Sequence, residues 1–137
     1  MRDKSGILQA FFDNAPDGST IVLKAGGTYR LGGVLRIRGR RGITLEGNGA
    51  KFQLTGQDGG LGSAGLFVER LSANTTVRDL TIVGNHQAAG TSQACCGSEG
   101  QHGIAVFGST DTLIERVSIR RVGGDCFHVH GHDGRVW

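Results

Sequence analysis

The sequence is poor in proline, cysteine, aromatic residues and long apolar runs. It has one proline, three cysteines and 6% aromatic residues in 137 positions. A single proline beside many Val, Ile and Leu residues argues against disorder. No apolar run approaches the roughly 18 residues that a membrane-spanning helix needs. We therefore expect no membrane span, and the length allows one domain with a packed core.

The three cysteines are Cys95, Cys96 and Cys126. Their spacing fits no zinc-finger pattern, and an odd count leaves at least one thiol outside any intramolecular bridge. A disulfide from Cys95 or Cys96 to Cys126 is the plain interpretation in an oxidising compartment. A reactive thiol or a metal ligand stays open as the alternative.

Charge is nearly balanced, with a formal net charge of +3. The one dense basic cluster is Arg36, Arg38, Arg40 and Arg41. It is compatible with an acidic polysaccharide partner and equally with an ordinary solvated face. No aromatic platform or nucleic-acid motif accompanies it, so no nucleic-acid partner is expected.

Glycine is the abundant residue, with 25 positions in 137, against a typical share of about 7%. The glycines lie between short apolar runs without a Gly-X-Y period, which predicts many short strands joined by tight bends. No segment between the runs is long enough for a crossover helix, so the pattern predicts an all-β fold. The predicted strands are 20–23, 35–37, 43–45, 52–54, 66–68, 77–83, 104–107, 114–119 and 127–129.

Residues 5–13 form the exception, because Ile7, Leu8, Phe11 and Phe12 make one apolar stripe at helical spacing. Asp3 or Ser5 can cap the start of this helix. We predict that the helix covers the exposed end of the first strands, where unpaired backbone groups would otherwise invite association.

The strands repeat along the chain. Leu35, Leu66, Ile104 and Phe127 fall on equivalent positions at offsets of 31, 38 and 23 residues. Insertions near 57–64 and 85–101 lengthen two repeats, and both precede the same strand. The pattern predicts a coiled solenoid. We interpret 1–137 as one domain, with 1–18 as cap helix and turn and 19–137 as about four coils.

Several segments carry a family resemblance. The opening LQAFFDNAPDGSTIVLKAGGTYRL, then RGITLEGNGAKFQL, TTVRDLTIVGN and HGIAVFGSTDTLIERVSIRRVGGDCFHV resemble coils of bacterial right-handed parallel β-helix proteins of the pectate-lyase-like superfamily. The resemblance implies a right-handed parallel β-helix with an N-terminal capping helix. It also implies a secreted or cell-surface setting, although no signal peptide precedes Ile7. Superfamily members differ widely in activity, so the resemblance does not fix function.

Strand alternation separates inward from outward residues in the predicted coil. The inward set is Leu35, Ile37, Leu66, Val68, Ile104, Val106, Phe127 and Val129. One outward column is Arg36, Phe67, Ala105 and His128, and its neighbour is Arg38, Glu69, Phe107 and His130. Enzymes of the superfamily keep their substrate groove on such a face, so we expect the groove here.

Histidine near arginine and a carboxylate suits proton abstraction from an acidic sugar. We therefore predict His128, His130, Arg38 and Glu69 as catalytic residues of a lyase or epimerase. Substrate contacts are predicted at Arg36, Phe67, Phe107 and Asp125. Asp125 in Gly-Asp-Cys loosely resembles the Asp-Asp-Cys strand of polygalacturonases, but Gly124 replaces the first acid, which weakens a hydrolase assignment.

Alternating histidines also suggest a metal. His128, His130 and His132 share one predicted strand face, and Asp125 or Asp133 can add an oxygen ligand. A divalent metal is therefore the one candidate cofactor.

Two further hypotheses remain open. The chain can be a non-catalytic structural or binding segment of a larger surface or phage-fibre protein. The absence of a recognisable C-terminal cap also predicts a homo-oligomer that covers the open end.

Overall fold

A computed structural model describes residues 2–55, 64–85 and 101–131. These residues are mostly β-structure with one short helix. The elements are α1 (Ser5–Asn14), β1 (Thr20–Val22), β2 (Thr28–Leu31), β3 (Leu35–Arg38), β4 (Thr44–Leu54), β5 (Ala64–Glu69), β6 (Thr76–Val83), β7 (His102–Phe107), β8 (Leu113–Arg120) and β9 (Phe127–His130).

The strands form two parallel sheets. The β1 sheet has the order β1-β4-β6-β8, with β2 also paired to β4, and the β3 sheet has the order β3-β5-β7-β9. From β3 onward, successive strands alternate between the two sheets. This arrangement confirms the predicted all-β class with parallel pairing. Among the described residues, no helix is both long and apolar enough to cross a membrane.

The main core draws apolar side chains from both sheets and from α1. In β4 the buried positions alternate along each half of the strand, as the period of two requires, whereas β5 and β7 are buried at consecutive positions. Its members with no exposed surface are Leu31, Leu35, Leu45, Ala50, Phe52, Leu54, Leu66, Val68, Val77, Ile82 and Ile104.

The predicted register of the β3 sheet is confirmed. Arg36 pairs with Phe67, Phe67 with Ala105, and Ala105 with His128. Phe127 and Val129 take the predicted inward register opposite Ile104 and Val106, but they are 47% and 58% exposed. No strand in the described part of the chain lies on the far side of β9, so their inward faces stay uncovered.

The outward face of the β3 sheet is not simply a solvated surface. Ala64, Phe67 and Ala105 form a second buried apolar cluster, with Val34 and Phe107 packed against it. Phe67 is only 3% exposed. A groove therefore cannot run along the column of Phe67 and Ala105, and the neighbouring column of Arg38, Glu69, Phe107 and His130 keeps exposed surface.

The long strands of the β1 sheet bend at one shared level. Asn48, Asp79 and Arg116 all have left-handed backbone, with φ of 55°, 55° and 51°. Around this bend β1 pairs with the first part of β4, and β2 pairs with its last part. Asn and Asp tolerate this conformation, whereas arginine adopts it only where the neighbouring structure imposes it.

The predicted helix is confirmed, and it packs against β3. The Gln9 side chain accepts a hydrogen bond from the Arg36 amide (2.8 Å) and donates one to the Arg36 carbonyl (2.9 Å). The helix therefore covers the free edge of β3 and hydrogen-bonds to its backbone through Gln9, as predicted.

The apolar stripe of α1 is only half buried. Leu8 and Phe12 enter the core, but Ile7 and Phe11 are 56% and 63% exposed, which corrects the prediction for these two residues. They line an open apolar groove with Val22 and Tyr29.

The two predicted insertions lie almost wholly outside the described residues. The first described residues after the two insertions are Ala64 and Gln101, and Ala64 pairs directly with His102. Both segments therefore lead into neighbouring strands of the β3 sheet at the same level. Strand β2 is not among the strands predicted from the sequence.

Candidate active site

The candidate site lies where β7 begins beside the segment that leads into β9. Backbone hydrogen bonds join the two, from the Gly103 amide to the Asp125 carbonyl (2.9 Å) and from the Ile104 amide to the Cys126 carbonyl (3.0 Å). The side chains of His102, Asp125 and His128 converge above this junction, and we call them the His-Asp-His cluster.

Gly103 allows this close approach. A Cβ atom at this position would lie 2.5 Å from Cγ2 of Ile119 and 2.6 Å from the Cys126 carbonyl oxygen. Any side chain would therefore push β7 away from the Asp125 segment. Gly65 occupies the equivalent position on β5, where a Cβ would lie 2.9 Å from the Gly103 carbonyl oxygen.

His128 forms a dyad with Asp125. Its Nδ1 lies 2.9 Å from Oδ2 of Asp125, and the His128 side chain is 30% exposed. A carboxylate accepts a hydrogen bond and cannot donate one when ionised, so Nδ1 carries the proton. The other ring nitrogen, Nε2, is then the basic one, which is the arrangement of a general base held by an acid.

His102 is the most buried member, with a side chain that is 13% exposed. Its Nδ1 accepts a hydrogen bond from the Asp125 amide at 3.0 Å. Burial lowers the pKa of His102 below its usual value, and His128 lowers it further, while Asp125 acts in the opposite direction. The ring stacks on His128, with centroids 4.3 Å apart and planes 5° from parallel.

Further rings extend from the cluster along the sheet. Phe107 lies 5.6 Å from His128 and 5.4 Å from His130 between ring centroids. Phe67 lies 5.3 Å from Phe107, and the Arg36 guanidinium carbon lies 4.7 Å from the Phe67 ring centre. The outward face therefore carries a continuous row of rings, which fixes the orientation of His128 and His130.

The four predicted catalytic residues do not form one site. Arg38 lies on β3, Glu69 on β5, and His128 and His130 on β9. With about 4.8 Å between neighbouring strands, β3 and β9 are about 14 Å apart. One sugar ring cannot contact all four, so we correct the predicted quartet to the two histidines.

Glu69 is also already engaged. Both of its carboxylate oxygens accept from Nη1 of Arg36, at 3.0 and 3.1 Å. Arg36 is therefore neutralised, whereas Arg38 is exposed and has no ion-pair partner among the described residues.

Some of the predicted substrate contacts lie at the His-Asp-His cluster, and others do not. Asp125 belongs to the cluster, and Phe107 is half-buried beside it. Phe67 packs within the second apolar cluster, so its predicted role as a surface contact is wrong.

The cluster brings together three groups that bind metals. One ligating atom from each of His102, Asp125 and His128 lies within 4.8 Å of the others. The predicted ligand His130 is not among them, and His132 lies outside the described residues. In the stacked arrangement the lone pairs of the two rings lie in two parallel, separated planes, so one ring must rotate before both bind one ion.

Cys126 is exposed, and its Sγ lies 3.8 Å from the Ile119 carbonyl oxygen. Its predicted bridge partners, Cys95 and Cys96, lie outside the described residues, so the disulfide stays a prediction.

Sequence reasoning did not select His102. The signal was present, because the 23-residue offset that relates Ile104 to Phe127 also relates His102 to Asp125. Applied to every polar residue at that strand start, the offset would have placed the two side by side.

A second concave surface of about 640 Å³ lies at the bend of the β1 sheet. Its charges are paired with one another. Arg116 bonds Asp79 at 2.6 Å, which lowers the pKa of that carboxyl, and Arg78 bonds Glu46 at 3.3 Å. Groups satisfied in this way stabilise the bend and leave little charge for a ligand.

Comparisons of the chain with protein-family models, with curated proteins and with solved structures found no match.

Proposed function

We propose that this chain processes an acidic polysaccharide by proton abstraction, with His128 as the general base and Asp125 as the residue that orients it. The supporting observation is the 2.9 Å contact between Nδ1 of His128 and Oδ2 of Asp125. Among described residues Asp125 is the only carboxylate in the cluster, whereas hydrolysis needs two at a defined separation. Lyase or epimerase chemistry therefore fits better than glycoside hydrolysis.

The reaction would begin at the carbon next to the carboxylate of a uronate sugar. Nε2 of His128 takes the C5 proton, and the electron pair left at C5 is delocalised onto the adjacent C6 carboxylate. In a lyase it forms the C4–C5 double bond while the C4–O bond breaks, and the leaving oxygen takes a proton from water. In an epimerase a proton returns to C5 from the opposite face, supplied by water.

Arginine binds sugar carboxylates through charge-assisted hydrogen bonds, which hold a uronate polymer on the surface. Arg36 is bound to Glu69, so Arg38 is the available arginine of the β3 sheet. Because Arg38 lies about 14 Å from β9, it would bind the carboxylate of a more distant sugar on the same polymer. A polymer rather than a single uronate is therefore the proposed substrate.

The fold side of the proposal is a right-handed parallel β-helix of the pectate-lyase-like kind. It is supported by the alternation of strands between two parallel sheets and by left-handed residues at one level in β4, β6 and β8. Such proteins act outside the cell, so a secreted or surface location belongs to the same proposal.

The test is to incubate the protein with alginate, pectate and glycosaminoglycans. A lyase produces absorbance from unsaturated ends, and an epimerase incorporates solvent deuterium at C5. We expect His128→Ala to reduce either signal by about 10²- to 10⁴-fold, with Arg120→Ala as a matched surface control. Absence of both signals with every polymer would contradict the proposal.

A divalent metal at the His-Asp-His cluster is the second candidate. The proximity of the three ligating atoms favours it, and the parallel rings count against it. Calorimetric titration of tag-free protein with Zn²⁺ decides the matter. Binding that disappears in both His102→Ala and His128→Ala but not in His130→Ala would support it, and no heat of binding would remove it.

A non-catalytic role in a larger surface or fibre protein, with self-association, is the third candidate. It is supported by the exposed apolar side chains of Leu113, Phe127 and Val129 on β8 and β9, each of which has one edge that no described strand pairs. Light scattering across a concentration series tests it. A monomer at every concentration would contradict the self-association.

A further inference from the structure

Asp125 contacts His102 through its backbone and His128 through its side chain. Its backbone amide donates to Nδ1 of His102 (3.0 Å), and its carboxylate lies 2.9 Å from Nδ1 of His128. A backbone amide can only donate, and an ionised carboxylate can only accept. These two contacts therefore require an unprotonated Nδ1 on His102 and a protonated Nδ1 on His128.

We propose that His102 is the positioning residue of this site, locked with its proton on Nε2, and that it holds Asp125 and the stacked His128 ring so that His128 keeps its proton on Nδ1. The two stacked rings then carry opposite neutral tautomers. This inference rests on the proposed role of His128 as base, because only the Nδ1-protonated form leaves Nε2 free to take a proton.

Geometry supports a positioning role over simple packing. The His102 ring contacts both members of the dyad. It accepts a 3.0 Å hydrogen bond from the Asp125 amide, and it stacks on the His128 ring with planes 5° from parallel. It projects from the first residue of β7, whose backbone is joined to the Asp125 segment at Gly103. An apolar residue of similar size would fill the space but leave the Asp125 amide without an acceptor.

The pair of variants His102→Gln and His102→Phe separates the two contacts. Glutamine can accept from the Asp125 amide through its side-chain oxygen but cannot stack as a ring. Phenylalanine can stack but cannot accept. Thermal unfolding and circular dichroism identify any variant that has lost the sheet, and the other variant then carries the test.

The direct measurement is the ¹⁵N shift of each histidine ring at alkaline pH, assigned by single-histidine variants. We expect a protonated Nε2 in His102 and a protonated Nδ1 in His128. His130 serves as an internal reference, because its Nδ1 lies 3.0 Å from the Gly131 carbonyl and must donate. His102→Phe should shift His128 toward a mixture of tautomers, and His102→Gln should preserve its Nδ1 proton.

Activity gives the second measurement. With a uronate polymer that is processed, His102→Phe should lower kcat by about 100-fold with little change in KM, as expected when a base is misplaced by about 1 Å. His102→Gln should rescue most of this loss. The same tautomer on both rings, or His128 unaffected by His102→Phe, would overturn the proposal. The expected tautomers without any polymer activity would support it and contradict the proposed function instead.

Discussion

The two edges of the β3 sheet differ although their sequences alternate in the same way. At β3, Leu35 and Ile37 are at most 2% exposed, and Gln9 of α1 pairs the backbone. At β9, Phe127 and Val129 are 47% and 58% exposed. An inward-facing apolar residue is therefore buried only where another layer covers it. Alternation determines the direction of a side chain, and the neighbouring layer determines its burial.

The largest expected effect contrasts core substitutions at the two edges. Leu35→Ala should lower the free energy of unfolding by about 2–5 kcal/mol, because it leaves a cavity under α1. Val129→Ala should change it by no more than about 0.5 kcal/mol. Urea denaturation of both variants measures the difference. Equal losses would show that a further layer covers β9 in solution.

Gly103→Ala probes the tight junction near the open edge. The added methyl would overlap Ile119 and the Cys126 carbonyl, so we expect a loss of about 1–3 kcal/mol. Gly6→Ala in α1 is the control, because a Cβ there meets nothing within 4 Å. It should stabilise the protein by about 0.5–1 kcal/mol. A neutral Gly103→Ala in the same denaturation experiment would contradict the close approach.

Gln9→Ala should open the covered edge locally. It leaves the Arg36 amide and carbonyl to water, at an expected cost of about 1 kcal/mol. Hydrogen exchange should accelerate at the Arg36 amide in this variant. Gln9→Glu keeps an acceptor for that amide and should protect it more than alanine does. Unchanged exchange in Gln9→Ala would mean that α1 does not pair β3.

The smallest effect concerns acid sensitivity of the start of the cap. Hydrogen bonds to the Asp3 carboxylate lower its pKa. The largest effect comes from the Ser5 side chain, the next from the Ser5 amide and the third from the Gly32 amide. A carboxyl with a lowered pKa stabilises the fold above its unfolded value of 3.8 and loses that contribution as pH falls through the lower folded pKa. Because Asp3 is exposed, we expect only about 0.5 kcal/mol. Asp3→Asn should reduce the loss of thermal stability between pH 5 and about pH 2.

Much of the fold could be predicted because it depends on local rules. The period of two assigned the inward residues of the central strands, and the repeat offsets assigned the register of Arg36, Phe67, Ala105 and His128. The apolar stripe placed the helix. These features follow from the short-range geometry of the backbone.

The features that could not be predicted depend on which side chains pack against each face of the sheet and of the helix. Phe67 and Ala105 were expected on an open groove but are buried in a second apolar cluster with Ala64, and periodicity alone does not predict such a cluster. Exposure of Ile7 and Phe11 has the same origin. The predicted quartet was wrong because Arg38 and Glu69 were treated as neighbours of the two histidines, although up to three strand spacings separate them.

The pairing of one edge by Gln9 also constrains the symmetry of any assembly through the β3 sheet. With β3 occupied, molecules that join through this sheet can meet only by the β9 edge, and each molecule has one such edge in its described part. Two identical edges meet around a two-fold axis, which closes the assembly at a pair. An association of this kind ends as a dimer, whereas a sheet with two free edges could grow into a fibre.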